Sequence, residues 1–207
     1  MEENNQQLDA EAIRKNKIKF LFIVALFVFP IATALYLNLT GWRPGSTINH
    51  GTLVQPVRPA PSMVFRSPSK EKFTQKILEK KWNIVVATNG PCDKNCQSNL
   101  ASMRQIHIGQ GKYEHRIRRI LINSGQDAGV NHLKKTNPKL IILKVDQANE
   151  KVFLNWVTTK DQKSKLMGVR VFLIDPRGNY LMYYPEGSDP AKMRKDLSRL
   201  LRVSRIG

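Results

Sequence analysis

The chain is short of three things: it has 2 cysteines, 4 histidines and only 16 acidic side chains in 207 residues. Two cysteines permit a single disulfide or one pair of soft metal ligands, and nothing larger. Few acids against 34 Lys and Arg leave a net charge of +18. Arg14, Lys15, Lys17 and Lys19 are balanced by Glu2, Glu3, Asp9 and Glu11, so the whole excess lies beyond residue 40. Such a charge suits an anionic membrane surface, an acidic protein or a nucleic acid. No helix-turn-helix, zinc-finger or aromatic RNA-binding signature is present, and no internal repeat is evident.

Charge is missing altogether from Phe20 to Leu39, read FLFIVALFVFPIATALYLNL, which is long enough to cross a bilayer. Arg14, Lys15, Lys17 and Lys19 immediately precede it, so the positive-inside rule puts residues 1–19 in the cytoplasm and everything after Leu39 across the membrane. Pro30 is compatible with a span, because neighbouring groups re-satisfy the freed carbonyl. The rival reading is a cleaved signal peptide, since Ala32-Thr33-Ala34 resembles a small-residue processing site. An acid-bearing polar leader and an apolar run that continues past Ala34 favour an anchor. Both readings export the remainder, which argues against a nucleic-acid partner and for an oxidising compartment in which a cysteine pair closes into a disulfide.

Residues 40–70 hold five prolines (Pro44, Pro56, Pro59, Pro61, Pro68) and three glycines (Gly41, Gly45, Gly51), the composition of a tether. Asn49 to Leu53 reads as a short ordered lead-in, and residues 71–207 as the folded domain.

The chemistry concentrates in Trp82 to Cys96, WNIVVATNGPCDKNC. Trp82 to Ala87 is a short apolar, β-branched run ended by Asn-Gly-Pro, the pattern of a buried strand. Cys96, Leu100, Met103 and His107 then share one face of a 3.6-residue period, so the cysteines stand where a strand passes into a helix N-terminus. Unpaired N–H groups and the helix dipole there favour a thiolate. Cys92, nearer the strand and more exposed, is the expected attacking sulfur and Cys96 the resolving one; Asp93 opposes thiolate formation and Lys94 favours it. The bland alternative is a disulfide that only staples the turn. The charged clusters at Arg116, Arg118 and Arg119 and at Arg194, Lys195, Arg199 and Arg202 read most simply as solvated faces, otherwise as a docking surface for an acidic subunit or lipid.

Further apolar runs at Arg119–Asn123 and Leu140–Val145 read as strands, and Val169–Asp175 with Tyr180–Tyr184 as a hairpin turning at Pro176-Arg177-Gly178-Asn179. A closing helix is expected with Asp189 as its cap, Pro190 in its first turn and Met193, Leu197, Leu200 and Leu201 on its buried face. This element order is that of an α/β, thioredoxin-like domain behind an N-terminal transmembrane helix.

The stretch from Lys81 onward, with the anchor and tether, resembles the Sco/SenC group of membrane-anchored copper chaperones for cytochrome c oxidase. It is still more similar to the small Sco-like proteins of proteobacteria associated with oxidase assembly. Cys92-Asp93-Lys94-Asn95-Cys96 matches the family's Cys-x-x-x-Cys, and Leu173-Ile174-Asp175-Pro176-Arg177-Gly178 its hairpin. The resemblance implies a bacterial inner-membrane protein with its domain in the periplasm, copper as cargo, and an oxidase subunit or another assembly factor as partner. It departs in two places. Where the family carries its copper-ligand histidine, before the hairpin, stands Met167, and no proline precedes Val169 where thioredoxin-like oxidoreductases carry their cis-proline. Cys92, Cys96 and Met167 would form a three-sulfur Cu(I) site, although Met167 also reads as a core or rim residue. None of His50, His107, His115 and His132 is spaced closely to a cysteine; His107 is about 1.5 Å per residue along the helix from Cys96, three turns off. Copper delivery, thiol reduction of copper-site cysteines, and a non-catalytic scaffold with a structural Cys92–Cys96 disulfide all stay open, and with them whether the protein is an enzyme.

Overall fold

Trp82–Thr88 forms a strand in which every residue is buried, and the other elements are arranged around it. The computed structural model of the chain describes residues 2–41, 48–125, 130–158, 170–185 and 187–207. They divide into two units, Met1–Ile48 and Asn49–Gly207.

The first unit is one helix, α1 (Glu2–Leu39), with Pro30 inside it. Its Ile13–Leu39 portion is long and apolar enough to cross a membrane, and none of that portion is buried.

The second unit is an eight-stranded sheet with helices on both faces. The strands are β1 (Thr52–Pro59), β2 (Val64–Arg66), β3 (Lys72–Thr74), β4 (Trp82–Thr88), β5 (Ile117–Asn123), β6 (Leu140–Val145), β7 (Arg170–Ile174) and β8 (Asn179–Tyr184). The helices are α2 (Lys94–Ile108), α3 (Val130–Thr136), α4 (Glu150–Val157) and α5 (Pro190–Val203). The order across the sheet is β1-β8-β7-β4-β5-β6-β2-β3. β4, β5 and β6 are parallel, and β7, β8 and β1 continue the sheet antiparallel from β4.

Side chains alternate between two cores, as the two-residue strand period requires. Trp82, Ile84 and Val86 pack with Leu100 and Met103 of α2 and Met193, Leu197 and Leu201 of α5. Val85 and Ala87 face the opposite way, into Phe65, Phe153, Trp156, Phe172 and Tyr180. The last four of these rings form an edge-on cluster with centroids 5.1 to 6.5 Å apart. Each such fully buried apolar side chain contributes about 1.5–3 kcal/mol.

The expected hairpin and closing helix are present. Asp175 Oδ1 accepts the N–H groups of Arg177 and Asn179 at 2.9 and 2.8 Å, and Gly178 takes a φ of +83°, which closes the β7–β8 turn. Asp189 caps α5 by accepting the Ala191 N–H at 2.8 Å, with Pro190 opening the helix.

Two expectations are corrected. Residues 40–70 are not tether throughout, because β1 and β2 lie within them. Pro56 and Pro59 sit in β1, an edge strand that hydrogen-bonds only β8, where a missing N–H costs no ladder bond. β2 pairs with β6 and fully buries Phe65. Nor are Arg116, Arg118 and Arg119 simply solvated. Arg116 donates to the carbonyls of Leu201, Ser204, Ile206 and Gly207, pinning the end of α5 and the residues beyond it. Arg118 donates to the Ile77 carbonyl, and Arg119 is only 5% exposed.

The start of this unit is fastened by one buried carboxylate. Asp196, on α5, is 2% exposed and accepts the backbone N–H groups of His50 and Gly51 at 2.8 and 2.9 Å and the Tyr184 hydroxyl at 3.3 Å. Burial and that carboxylate push the Tyr184 phenol well above its ordinary range. Asp196→Ala strands two backbone donors and a hydroxyl, so it should lower unfolding stability by about 2–4 kcal/mol. Urea unfolding with an unchanged slope checks this; a loss no larger than that of an exposed-site substitution would contradict it.

Candidate functional site

The parallel strands β4 and β5 end side by side, and their short loops meet. Gly90, after β4, has a φ of +115°, a conformation open to a glycine and strained for other residues. It turns the chain so that Pro91 and Cys92 precede α2. Cys92 and Cys96 form a disulfide with Cα atoms 5.1 Å apart. Cys92 is half-buried at the mouth of the loop, whereas Cys96 is 0% exposed and packs among Leu100, Met103 and Leu121. Cys92 is thus the more exposed residue of the pair.

The helix terminus is arranged differently from the expectation of unpaired donors. Asp93 is the N-cap of α2 and accepts the Cys96 N–H at 2.8 Å. Its carboxylate occupies a donor that would otherwise favour a thiolate, and adds a negative charge beside the sulfurs. Gln97 Nε2 donates to the Cys92 carbonyl at 3.4 Å.

Sequence reasoning missed the residue that joins the two loops. Asn123, the last residue of β5, is 3% exposed, and its Oδ1 accepts both Gly90 N–H at 3.2 Å and Gly125 N–H at 2.8 Å. The Ser124 N–H adds a bond to the Thr88 carbonyl at 3.0 Å. A Cβ on Gly125 would overlap the Gly90 backbone and the Asn89 side chain, so only glycine permits this approach. The available signal was that both apolar runs stop at an asparagine with a glycine close behind, Asn89-Gly90 and Asn123-Ser124-Gly125.

Met167 lies outside the described residues. The nearest described backbone after it is Arg170, which pairs with Ala87. His50 is held by Asp196, with Nδ1 3.1 Å from Oδ1. His107, 6% exposed, bonds the Glu114 carbonyl through Nε2 at 3.0 Å, at the far end of α2 from the cysteines. The His132 side chain is not described. Among the described residues, no group of three His, Cys, Asp or Glu could hold a metal ion.

Residues 82–204 match the family model of the transmembrane-like, thioredoxin-like C-terminal domain. The chain belongs to that family. Its fold is shared with Arabidopsis thaliana ScoI with copper bound, at a TM-score of 0.58, 16% identity and coverage of 70% of this chain and 99% of that one. Yeast Sco1 superposes with a TM-score of 0.59 at 14% identity, over 73% of this chain and 98% of its own. BsSco, a member of the Sco family of cytochrome c oxidase assembly proteins in which a disulfide switch is identified, gives 0.55 at 12% identity, over 74% and 99%. A search of curated protein sequences finds no match. At these identities the structural likeness establishes the thioredoxin-like, Sco-like fold, and the family model carries it along the sequence from β4 to the end of α5.

Two predictions follow from the geometry. Gly125→Ala should cost about 1–3 kcal/mol by forcing the loops apart, and should change the rate at which a small dithiol reduces Cys92–Cys96. An unaltered rate and stability would show that the loops do not constrain each other. Burial, the largest cause, holds His107 below its ordinary value of 6.5. The unfolded chain therefore takes up this proton at a higher pH than the folded one. His107 should be neutral to stability above 6.5 and increasingly destabilising as the pH falls below it, until the folded value is passed. Urea midpoints measured from about pH 7.5 down to about pH 5 should show this decline, and His107→Gln should flatten it.

Proposed function

We propose that this member of the family is a membrane-anchored, exported thioredoxin-like protein that assists cytochrome c oxidase assembly, either by carrying Cu(I) or by reducing the cysteines of a copper site. The observation that carries this reading is a Cys-x-x-x-Cys pair at the β4–α2 junction, within disulfide reach, on the fold of copper-bound ScoI. The charge-free run behind Arg14, Lys15, Lys17 and Lys19 supports a single-pass anchor in a bacterial inner membrane with the domain in the periplasm.

Both roles begin with the reduced pair. Two electrons and two protons convert the disulfide to two thiols. In the reductant role the Cys92 thiolate attacks one sulfur of a partner disulfide and expels the other as a thiolate. Cys96, after losing its proton, attacks the Cys92 sulfur of the mixed disulfide, which releases the partner's second thiolate and restores Cys92–Cys96. In the carrier role both thiols lose protons to Cu(I), a soft ion matched to thiolate donors. Met167, three residues before Arg170 in a strand that pairs beside the end of β4, is our third donor. A thioether in place of a histidine keeps the set soft and favours Cu(I) over divalent ions.

A second reading has its own support. Cys96 is fully buried and its N–H is held by Asp93, which suits a disulfide that staples the turn of an assembly scaffold.

Titration of the reduced, detergent-solubilised chain with Cu(I) against a competing chelator tests these readings. The carrier predicts tight one-to-one binding that Cys92→Ser abolishes. Met167→Ala should weaken it at least about tenfold and Met167→His should restore or strengthen it; indifference to both removes Met167 from the site. If the intact, reduced pair binds no copper, the carrier role falls. The reduction potential of the pair then separates a reductant, poised near its compartment, from a staple, far more resistant to reduction.

A further inference from the structure

At the opposite end of β4 and β5 from the cysteines lies a cavity of about 450 Å³. Its walls come from Lys81 before β4, Arg118 and Arg119 in β5, Lys139 before β6, His107 in the last turn of α2, and Glu114. Glu114 is the only acidic side chain among its described lining residues, and it is already engaged, with Oε1 3.3 Å from Lys139 Nζ.

The distinctive group is Arg119. It shares a face of β5 with buried Ile117 and Leu121, is itself 5% exposed, and its Nε and Nη1 are buried with no hydrogen-bond partner among the described residues. Arginine remains protonated even when desolvated, so this is a fixed charge in the wall of the cavity. Burial and the nearby positive Arg104 act against its charged form, and the Glu114 carboxylate acts for it. A fold does not gain by burying such a charge alone. A nearly buried guanidinium in a wall shared with Lys81, Arg118 and Lys139 matches a multiply charged oxyanion.

We propose that this cavity binds a phosphate-class oxyanion, held by the positive charges of Arg119 in its wall and of Lys81 and Lys139 at its mouth. The phosphate belongs either to a soluble compound or to an anionic lipid headgroup, two sources with the same recognition chemistry. The site is independent of the cysteine pair and of the function proposed for it, since the two are built at opposite ends of the parallel strands.

The test is calorimetric titration of the full chain in a non-ionic detergent with inorganic phosphate, against chloride at matched ionic strength. A parallel titration uses micelles doped with phosphatidylglycerol. Saturable one-to-one binding in either arm is expected, and the arm that responds names the source. Arg119→Met replaces the guanidinium with an apolar chain, and should weaken binding about tenfold or more while the far-ultraviolet circular dichroism stays unchanged. Should that variant not fold, Lys81→Ala combined with Lys139→Ala, both outside the core, should show a loss in the same direction. Binding no stronger than chloride in both arms, or binding undiminished in a folded Arg119→Met or in the double variant, would overturn the proposal.

Discussion

The double burial of β4 is the constraint on which the rest depends. A strand covered on both faces must pair on both edges, and here it does so with β5 in parallel and β7 antiparallel. That pairing brings the ends of β4 and β5 level, which places Gly90 and Gly125 within reach of one carboxamide, that of Asn123. The geometry of the cysteine loop is therefore set as much by the register of β5 as by the residues around the cysteines. A slip of one residue would turn Ile120 and Ile122 out of one core and Ile117 and Leu121 out of the other, so the apolar pattern of β5 holds Asn123 in place.

What the sequence makes legible follows from how strongly each element is specified locally. β4, β5 and β6 each carry an apolar, β-branched stretch because parallel strands are covered on both sides, α2 and α5 carry a clear helical period, and α5 has a recognisable cap in Asp189. β1, β2 and β3 escape such reasoning. β2 and β3 are three residues each, and β1 contains two prolines that an edge strand tolerates, so its pattern is indistinguishable from a linker until its partner β8 is known. The cysteine pair is visible from spacing alone. Asn123 is not, because its partners lie 33 residues back and two residues ahead, and only the parallel pairing unites them.

Charge is the property that composition reports least faithfully. Arg116, Arg118 and Arg119 look alike as a cluster in the sequence, yet each has a different structural fate. Arg116 ties down carbonyls at and beyond the end of α5, Arg118 reaches the Ile77 carbonyl, and Arg119 is turned inward. Strand alternation separates the last two: adjacent residues must point to opposite faces, so Arg118 and Arg119 are carried toward different cores. Arg119 is on the α2 side, where no acid among the described residues meets it at bonding distance.

The two ends of the parallel strands thus present opposite kinds of chemistry. One end offers sulfur beside the carboxylate of Asp93, a setting that suits soft electrophiles and disfavours anions. The other offers guanidinium and ammonium groups, hard donors suited to oxyanions. From Arg119 to Asn123 the strand rises about 3.3 Å per residue, or roughly 13 Å before the loop is reached. The two chemistries are therefore held apart on one sheet by the length of β5.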